Sequence, residues 1–312
     1  MISLRYHIIS IGAVFLALAL GVVLGSTAIN DRLLSGLSSD RTRLGQQVAD
    51  LQADNDGLRV RLGDAAAFAA ALGPPAVRGT LQGRTVVLVT TSDADPVDRD
   101  GLVALLRSAG ATVTGEVQLT DAFTDPSRSD QLIELTTRLL PAGAQLPTAP
   151  DAGTLTGGLL GSLLLLDPGT GATPASPDET AAVLAGLGDG GFVRAAPQVQ
   201  PAQLAVVLTG AAAAGNGSGD RAGTVARFAT QLDGSGAGAV LAGRPGSAQA
   251  NEALGVVRAD TAATSVLSTV DDVDSPSGRI ATVLALAEQA QGRAGRYGTA
   301  GNADAVAPAA PG

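Results

Sequence analysis

Two groups of closely spaced carboxylates are the residues in this chain best placed to do chemistry: Asp93, Asp95, Asp98 and Asp100, then Asp271, Asp272 and Asp274. Clustered carboxylates suit hard, oxygen-seeking cations such as calcium. The first group lacks the spacing of a calcium-binding loop. Ser275-Pro276, after the second group, reads as a helix N-cap with Pro at the first helical position. Asp93, Asp95, Asp271, Asp272 and Asp274 are therefore metal candidates that also have a plainer reading in capping, helix-dipole complementation and solubility. Arg244 and Arg279 could contact an anion. The Gly-rich stretch 210–220, between an apolar run and a helical one, offers amides that could cradle one.

Other chemistries lack their parts. The one histidine is His7, so a Ser-His-Asp arrangement in the body of the chain is excluded. There is no Cys, hence no disulfide framework, thiolate metal site or cysteine nucleophile. The 20 basic residues are all Arg, so a Walker lysine is missing. Thr91-Ser92-Asp93-Ala94-Asp95-Pro96, after the first strand-like run, carries no dinucleotide-binding glycine pattern. A net charge of −9 argues against nucleic acid as a partner. The chain reads as non-enzymatic, with no cofactor.

The elements that must position these residues fall into four segments. Residues 1–30 hold an uncharged run, 8–25, of a length that crosses most of a bilayer's hydrocarbon. A cleavable signal peptide ending at Ser26-Thr27-Ala28 is the rival reading, but the run is long for a signal core of about 7–15 residues. Membrane lipid is thus an expected partner. Small residues recur at Ala13, Ala17, Gly21 and Gly25, and Gly21 with Gly25 forms a GxxxG pair that lets two helices approach closely in lipid. Charges flanking the span are nearly balanced; a short N-terminal tail before a large domain places that domain outside the cytoplasm.

Residues 31–73 carry a heptad repeat with Leu34, Arg41, Val48, Asn55, Leu62 and Ala69 at a, and Leu37, Leu44, Leu51, Leu58, Ala65 and Leu72 at d. Leu at d and β-branched Val48 at a favour two strands, and Asn55 at a fixes a parallel register. The expected dimer interface is Gly21, Gly25, Leu44, Val48, Leu51, Asn55, Leu58 and Leu62, with a higher oligomer as an option. A single helix folded back on the domain is the alternative. Gly73-Pro74-Pro75 is read as the helix stop.

Residues 80–291 alternate apolar runs with helical stretches. Strands are expected at 85–90, 112–118, 162–166, 204–209, 239–241 and 265–270, and helices at 98–109, 128–139, 178–186, 221–232, 248–256 and 277–289. The strand runs are continuously apolar, the mark of a mostly parallel sheet covered on both faces. The fold class is α/β, an N-terminal transmembrane helix and parallel coiled coil followed by Rossmann-like or flavodoxin-like layers. The alternating ten-residue pattern of a membrane barrel is absent. Residues 292–312 are low in complexity and expected to be disordered.

Several segments carry a family likeness. They include Met1-Ile-Ser-Leu-Arg5 with His7, Val14-Phe-Leu-Ala-Leu-Ala19, Gly21-Val-Val-Leu-Gly-Ser26 and Leu140-Pro141-Ala142-Gly143. Others are Val225-Ala226-Arg227-Phe228-Ala229, Val240-Leu241-Ala242-Gly243-Arg244 with Gly246-Ser247, Ser268-Thr269-Val270-Asp271-Asp272, Gly278-Arg279-Ile280 and Tyr297-Gly298-Thr299. From first residue to tail the chain resembles the mycobacterial copper transport protein family MctB. The resemblance implies a role in copper efflux or homeostasis in the cell envelope, as an oligomeric pore or an accessory, with an outer-membrane location possible. Copper then enters as a transported ion. The residues themselves offer poor soft-metal donors, since Cys is absent and Met1 and His7 stand alone. The competing expectation is a dimeric envelope scaffold whose α/β domain binds a protein partner.

Overall fold

The computed structural model describes residues 4–212 and 217–309, without the side chains of 26–39. In chain order the elements are α1 (Leu4–Val77), β1 (Thr85–Thr90), α2 (Pro96–Ser108), β2 (Thr112–Leu119), α3 (Asp121–Thr124), α4 (Ser129–Arg138), α5 (Ala152–Leu164), α6 (Pro177–Asp189), β3 (Val193–Ala195), β4 (Leu204–Leu208), α7 (Ser218–Asp233), β5 (Ala239–Ala242), α8 (Ala253–Ala259), α9 (Thr261–Thr264), β6 (Ser268–Val270), α10 (Pro276–Gln289) and β7 (Arg296–Tyr297). The chain divides into two compact units, residues 1–65 and 66–312.

The first unit is the helical stretch of α1 alone. Its segment Leu4–Gly25, 22 residues, is long and apolar enough to cross a membrane by length and composition, and none of it is buried in protein. The expected heptad side chains Leu44, Val48, Leu51, Leu58 and Leu62 are each more than half exposed. Leu34 and Leu37 lie outside the described side chains.

The second unit is a seven-stranded sheet in the order β3-β2-β1-β4-β5-β6-β7. All neighbours pair in parallel except β2 with β3. The continuous apolar strands behave as their composition dictates, sending alternate side chains into two cores. Val87, Val89, Ala205, Val207 and Leu241 face the layer of α5, α7 and α8. Val86, Leu88, Val206, Leu208 and Val240 face the layer of α2 and α10. Val77, in the last turn of α1, belongs to this second core. Gly73 packs there without a side chain, since a Cβ would come to 3.3 Å from both Leu105 and Ile280.

Five expectations need correction. The run 162–166 is not a strand: it is the end of α5, and only Leu165 bridges to Ala202. A helix buried on nearly every side is as continuously apolar as a central strand. In α5 the space on one side is set by glycines at i, i+4 and i+8, where a Cβ at Gly153 would sit 2.4 Å from Thr224 O, at Gly157 2.8 Å from Phe228 O and at Gly161 2.2 Å from Ser235 Oγ. The helix expected at 248–256 is shifted to α8, and the strand expected from 265 starts at Ser268. Pro74 and Pro75 lie inside α1, which ends within a turn at Val77 because each proline withdraws one N–H donor.

Finally, residues 292–309 are ordered where disorder was expected. They place β7 beside β6, and Tyr297 bridges to Ala305. Their low complexity hides anchors made by backbone atoms: Tyr297 O accepts from Arg258 Nη2 at 2.7 Å, and Thr299 N donates to Asp271 at 2.8 Å. Residues 310–312 lie outside the described structure.

Candidate functional site

The first carboxylate group follows β1 and does not converge on one point. Asp93 is exposed, accepts a hydrogen bond from Thr91 Oγ1, and lies against Gly210, where a Cβ would be 2.5 Å from its Oδ2. Asp95 caps α2, accepting from Val97 N at 2.8 Å, and its other oxygen meets Arg244 Nη2 at 2.7 Å. Asp98, in the first turn of α2, is buried and takes Arg244 Nε at 2.6 Å and Arg279 Nη1 at 3.4 Å. Asp100 is exposed and pairs with Arg99.

The two arginines considered for an anion are thus held by the carboxylates considered for a cation. A buried carboxylate is tolerated when guanidinium groups bond both its oxygens, as at Asp98. Donating to Asp98 also holds the Arg244 guanidinium still more firmly protonated. Arg279 reaches Val273 O at 3.1 Å and Asp274 O at 3.0 Å, so it ties the loop after β6 to α2.

The second group separates its three members. Asp271, at the end of β6, is buried and accepts from Arg258 Nη1 at 2.7 Å, Thr299 N at 2.8 Å and Ala300 N at 3.1 Å. Arg258 is itself buried and completes its fork on Thr269 Oγ1 (2.9 Å), Asn302 Oδ1 (2.8 Å) and Tyr297 O (2.7 Å). Asp272 accepts from Ser275 Oγ at 3.1 Å, while its Oδ1 is buried without a partner. Burial pushes the Asp272 carboxyl up, and the charges of Asp271 and Asp274 act in the same direction. Asp274 is exposed. Ser275 caps α10 with Gly278 N at 2.8 Å, and Pro276 opens the helix, as the sequence suggested. Among the described residues no three of His, Cys, Asp and Glu gather in a way that could hold a metal ion.

Of the Gly-rich stretch 210–220, residues 213–216 lie outside the described structure. Gly217 precedes α7 as its N-cap, with φ of 80°. His7 is exposed on α1. Sequence reasoning missed Arg258, Asn302 and Ser247. The one available signal was a lone arginine in the apolar run Ala253–Ala259, a place where a charge must find buried partners.

Four of the segments that carried the family likeness meet at the C-terminal ends of the strands: Gly243-Arg244 after β5, Asp271-Asp272 after β6, Gly278-Arg279 in α10 and Tyr297-Gly298-Thr299 at β7. Comparison with known proteins accords with this. A family model described as "Copper transport outer membrane protein, MctB" matches residues 1–308. A protein named copper transporter MctB from Mycobacterium tuberculosis is 41% identical over 293 residues, 91% of this chain and 92% of the relative. Its namesake in Mycobacterium bovis gives the same figures. The Mycobacterium leprae protein of that name is 38% identical over 295 residues, with the same coverage.

Proposed function

This chain belongs to the MctB family, and from that premise we propose that it is a membrane-anchored, non-enzymatic component of copper transport in the cell envelope. The observation that carries the proposal is the likeness to proteins named copper transporters, 41% identical across 91% of the chain. The apolar segment Leu4–Gly25, exposed along its length among the described residues, supports an anchor in lipid. The exposed a and d positions from Leu44 to Leu62, with Asn55 among them, support parallel pairing of two copies. Gly21 and Gly25, where a Cβ would have no described atom within 4 Å, would let the two spans meet closely.

The donor chemistry favours an accessory over a domain that ligates the ion. Soft Cu(I) takes thiolate, thioether or imidazole ligands, and this chain has Cys 0, Met 1 and His 1, the last two at positions 1 and 7. Copper is therefore cargo moved by an assembly in which the α/β domain is the folded body outside the lipid. One spanning helix encloses no pore, so any conduit requires several copies or a partner protein.

Copper content of cells lacking the chain tests this reading. Loss should raise cell-associated copper several-fold under copper load. The full chain should restore the low level, and a form without residues 4–25 should not. Unchanged copper content on deletion would refute the proposal.

A further inference from the structure

The last turns of α1 are apolar on every side. From Ala65 to Val77 the chain carries no charged side chain and no polar one. A helix of that kind is ordinarily buried all round. Here only one side is covered. Ala66 and Ala69 are half-buried and Gly73 and Val77 buried, at spacings of three and four that mark a single face against the second core. Away from that face, Phe68 is 67% and Leu72 47% exposed. The two are neighbours one helical turn apart, an apolar patch of the sort that a partner covers.

The heptad register says where such a partner would come from. With Leu62 and Ala69 at a and Ala65 and Leu72 at d, Phe68 stands at g and Gly73 at the e that follows. In a parallel two-stranded coil, a g side chain of one helix leans toward the next e of the other. Phe68 of one copy is therefore aimed at Gly73 of the second.

That position has room for it. Gly73 carries no side chain, and beside it a groove of about 210 Å³ opens between α1, α2 and α10. Ala69, Gly73, Gly101, Ala104, Leu105 and Ile280 line it, four small residues and two branched ones. A cavity of roughly 150 Å³ already accepts a benzene ring, so a phenyl group fits. The lining also favours an apolar occupant, because its polar groups are engaged. Ser108 Oγ donates to Ala104 O at 2.9 Å, and Arg279 is held by Asp98, Val273 O and Asp274 O.

We propose that two copies exchange these side chains, Phe68 of each seating in the groove of the other beside Gly73, Ala104 and Leu105. The seating rests on the parallel pairing proposed above, and adds to it a contact between each helix and the second copy's domain. Apolar area leaves water at two equivalent sites, so the domains are held together as well as the helices.

The chain has no cysteine of its own, so introduced thiols report single contacts. Two differently tagged full chains, one with Phe68→Cys and the other with Ala104→Cys, are co-expressed and mildly oxidised in detergent micelles. A disulfide joining the two tags is expected. Phe68→Cys co-expressed with Thr137→Cys is the control and should not join, since Thr137 is exposed on α4, which packs on the opposite core. Phe68→Ala should weaken association at least tenfold in sedimentation equilibrium, with an unchanged far-ultraviolet circular dichroism spectrum. Asn55→Cys separates this contact from pairing along the helix. If Asn55→Cys crosslinks, then no disulfide between the tags, an equal yield in the control, or an unaltered affinity in Phe68→Ala overturns the exchange and leaves the pair standing. If Asn55→Cys also stays monomeric, both fall.

Discussion

Arg258 shows how a single side chain organises the end of the sheet. It has four acceptors, one charged, and is 6% exposed. Through them it joins α8, β6, β7 and the terminal segment. Removing one partner of a buried ion pair strands the other charge, at a cost of about 3–5 kcal/mol. Arg258→Met should therefore lower the unfolding free energy of the chain by about that amount in urea titrations monitored by circular dichroism. Arg258→Lys should recover only part of the loss, because an ammonium cannot reproduce the planar fork. A Met variant within about 1 kcal/mol of the parent would remove this account. From the sequence, Asp271 was visible as a carboxylate among carboxylates, whereas the guanidinium that engages it lies 13 positions away and could not be paired with it by spacing.

At the scale of helices and strands, periodicity was readable wherever an element has two distinguishable sides or sits squarely inside the sheet. Strands β1, β2, β4 and β5 and helices α2, α4, α6, α7 and α10 lie where their patterns put them, to within a few residues. Helix α5 defeated the reading because it has no exposed side to betray a 3.6-residue period, and its glycines serve close packing on α7. The short edges β3 and β7 gave no signal, since strands of three and two residues carry no periodicity. For α1 the heptad predicts a parallel pair in register at Asn55. In the full chain, Asn55→Cys should form an intermolecular disulfide under mild oxidation, seen as a dimer band on non-reducing gels. A chain that stays monomeric under these conditions would count against pairing along this helix.

On the scale of the entire domain, one buried acid sets a dependence on pH. Asp233, at the end of α7, is 7% exposed and accepts from Ala239 N at 2.6 Å. Burial raises its carboxyl from 3.8 to about 7, against the lowering effect of that hydrogen bond. The unfolded chain gives up this proton near pH 4 and the folded domain only near pH 7. Between those values the folded state holds more protons, so stability falls as pH rises and levels off above the upper one. Three pKa units correspond to roughly 4 kcal/mol as an upper bound. Asp272, raised by burial as well, contributes in the same direction. Asp233→Asn keeps an acceptor for the Ala239 amide, so it should flatten the slope between pH 4 and 8 and exceed the parent in stability at pH 8. Denaturant titrations across that range decide it, and coincident slopes would show that the parent carboxyl is already ionised in the fold.

The sequence by itself determined the properties that depend on local order: an apolar span, a heptad repeat, continuously apolar strands, caps such as Ser275-Pro276, and a family likeness written along the chain. It also determined that soft-metal donors are scarce, because that is a matter of composition. Tertiary structure alone decided which charges neutralise which. Arg244 and Arg279 meet Asp98 across 146 and 181 residues of chain, and no local rule assigns such partners. It alone decided that the terminal segment is anchored, since backbone carbonyls and amides hold it. And it alone left the Ser247 hydroxyl and one oxygen of Asp272 buried without a hydrogen-bond partner, since burial exists only once the turns after β5 and β6 are packed in the fold.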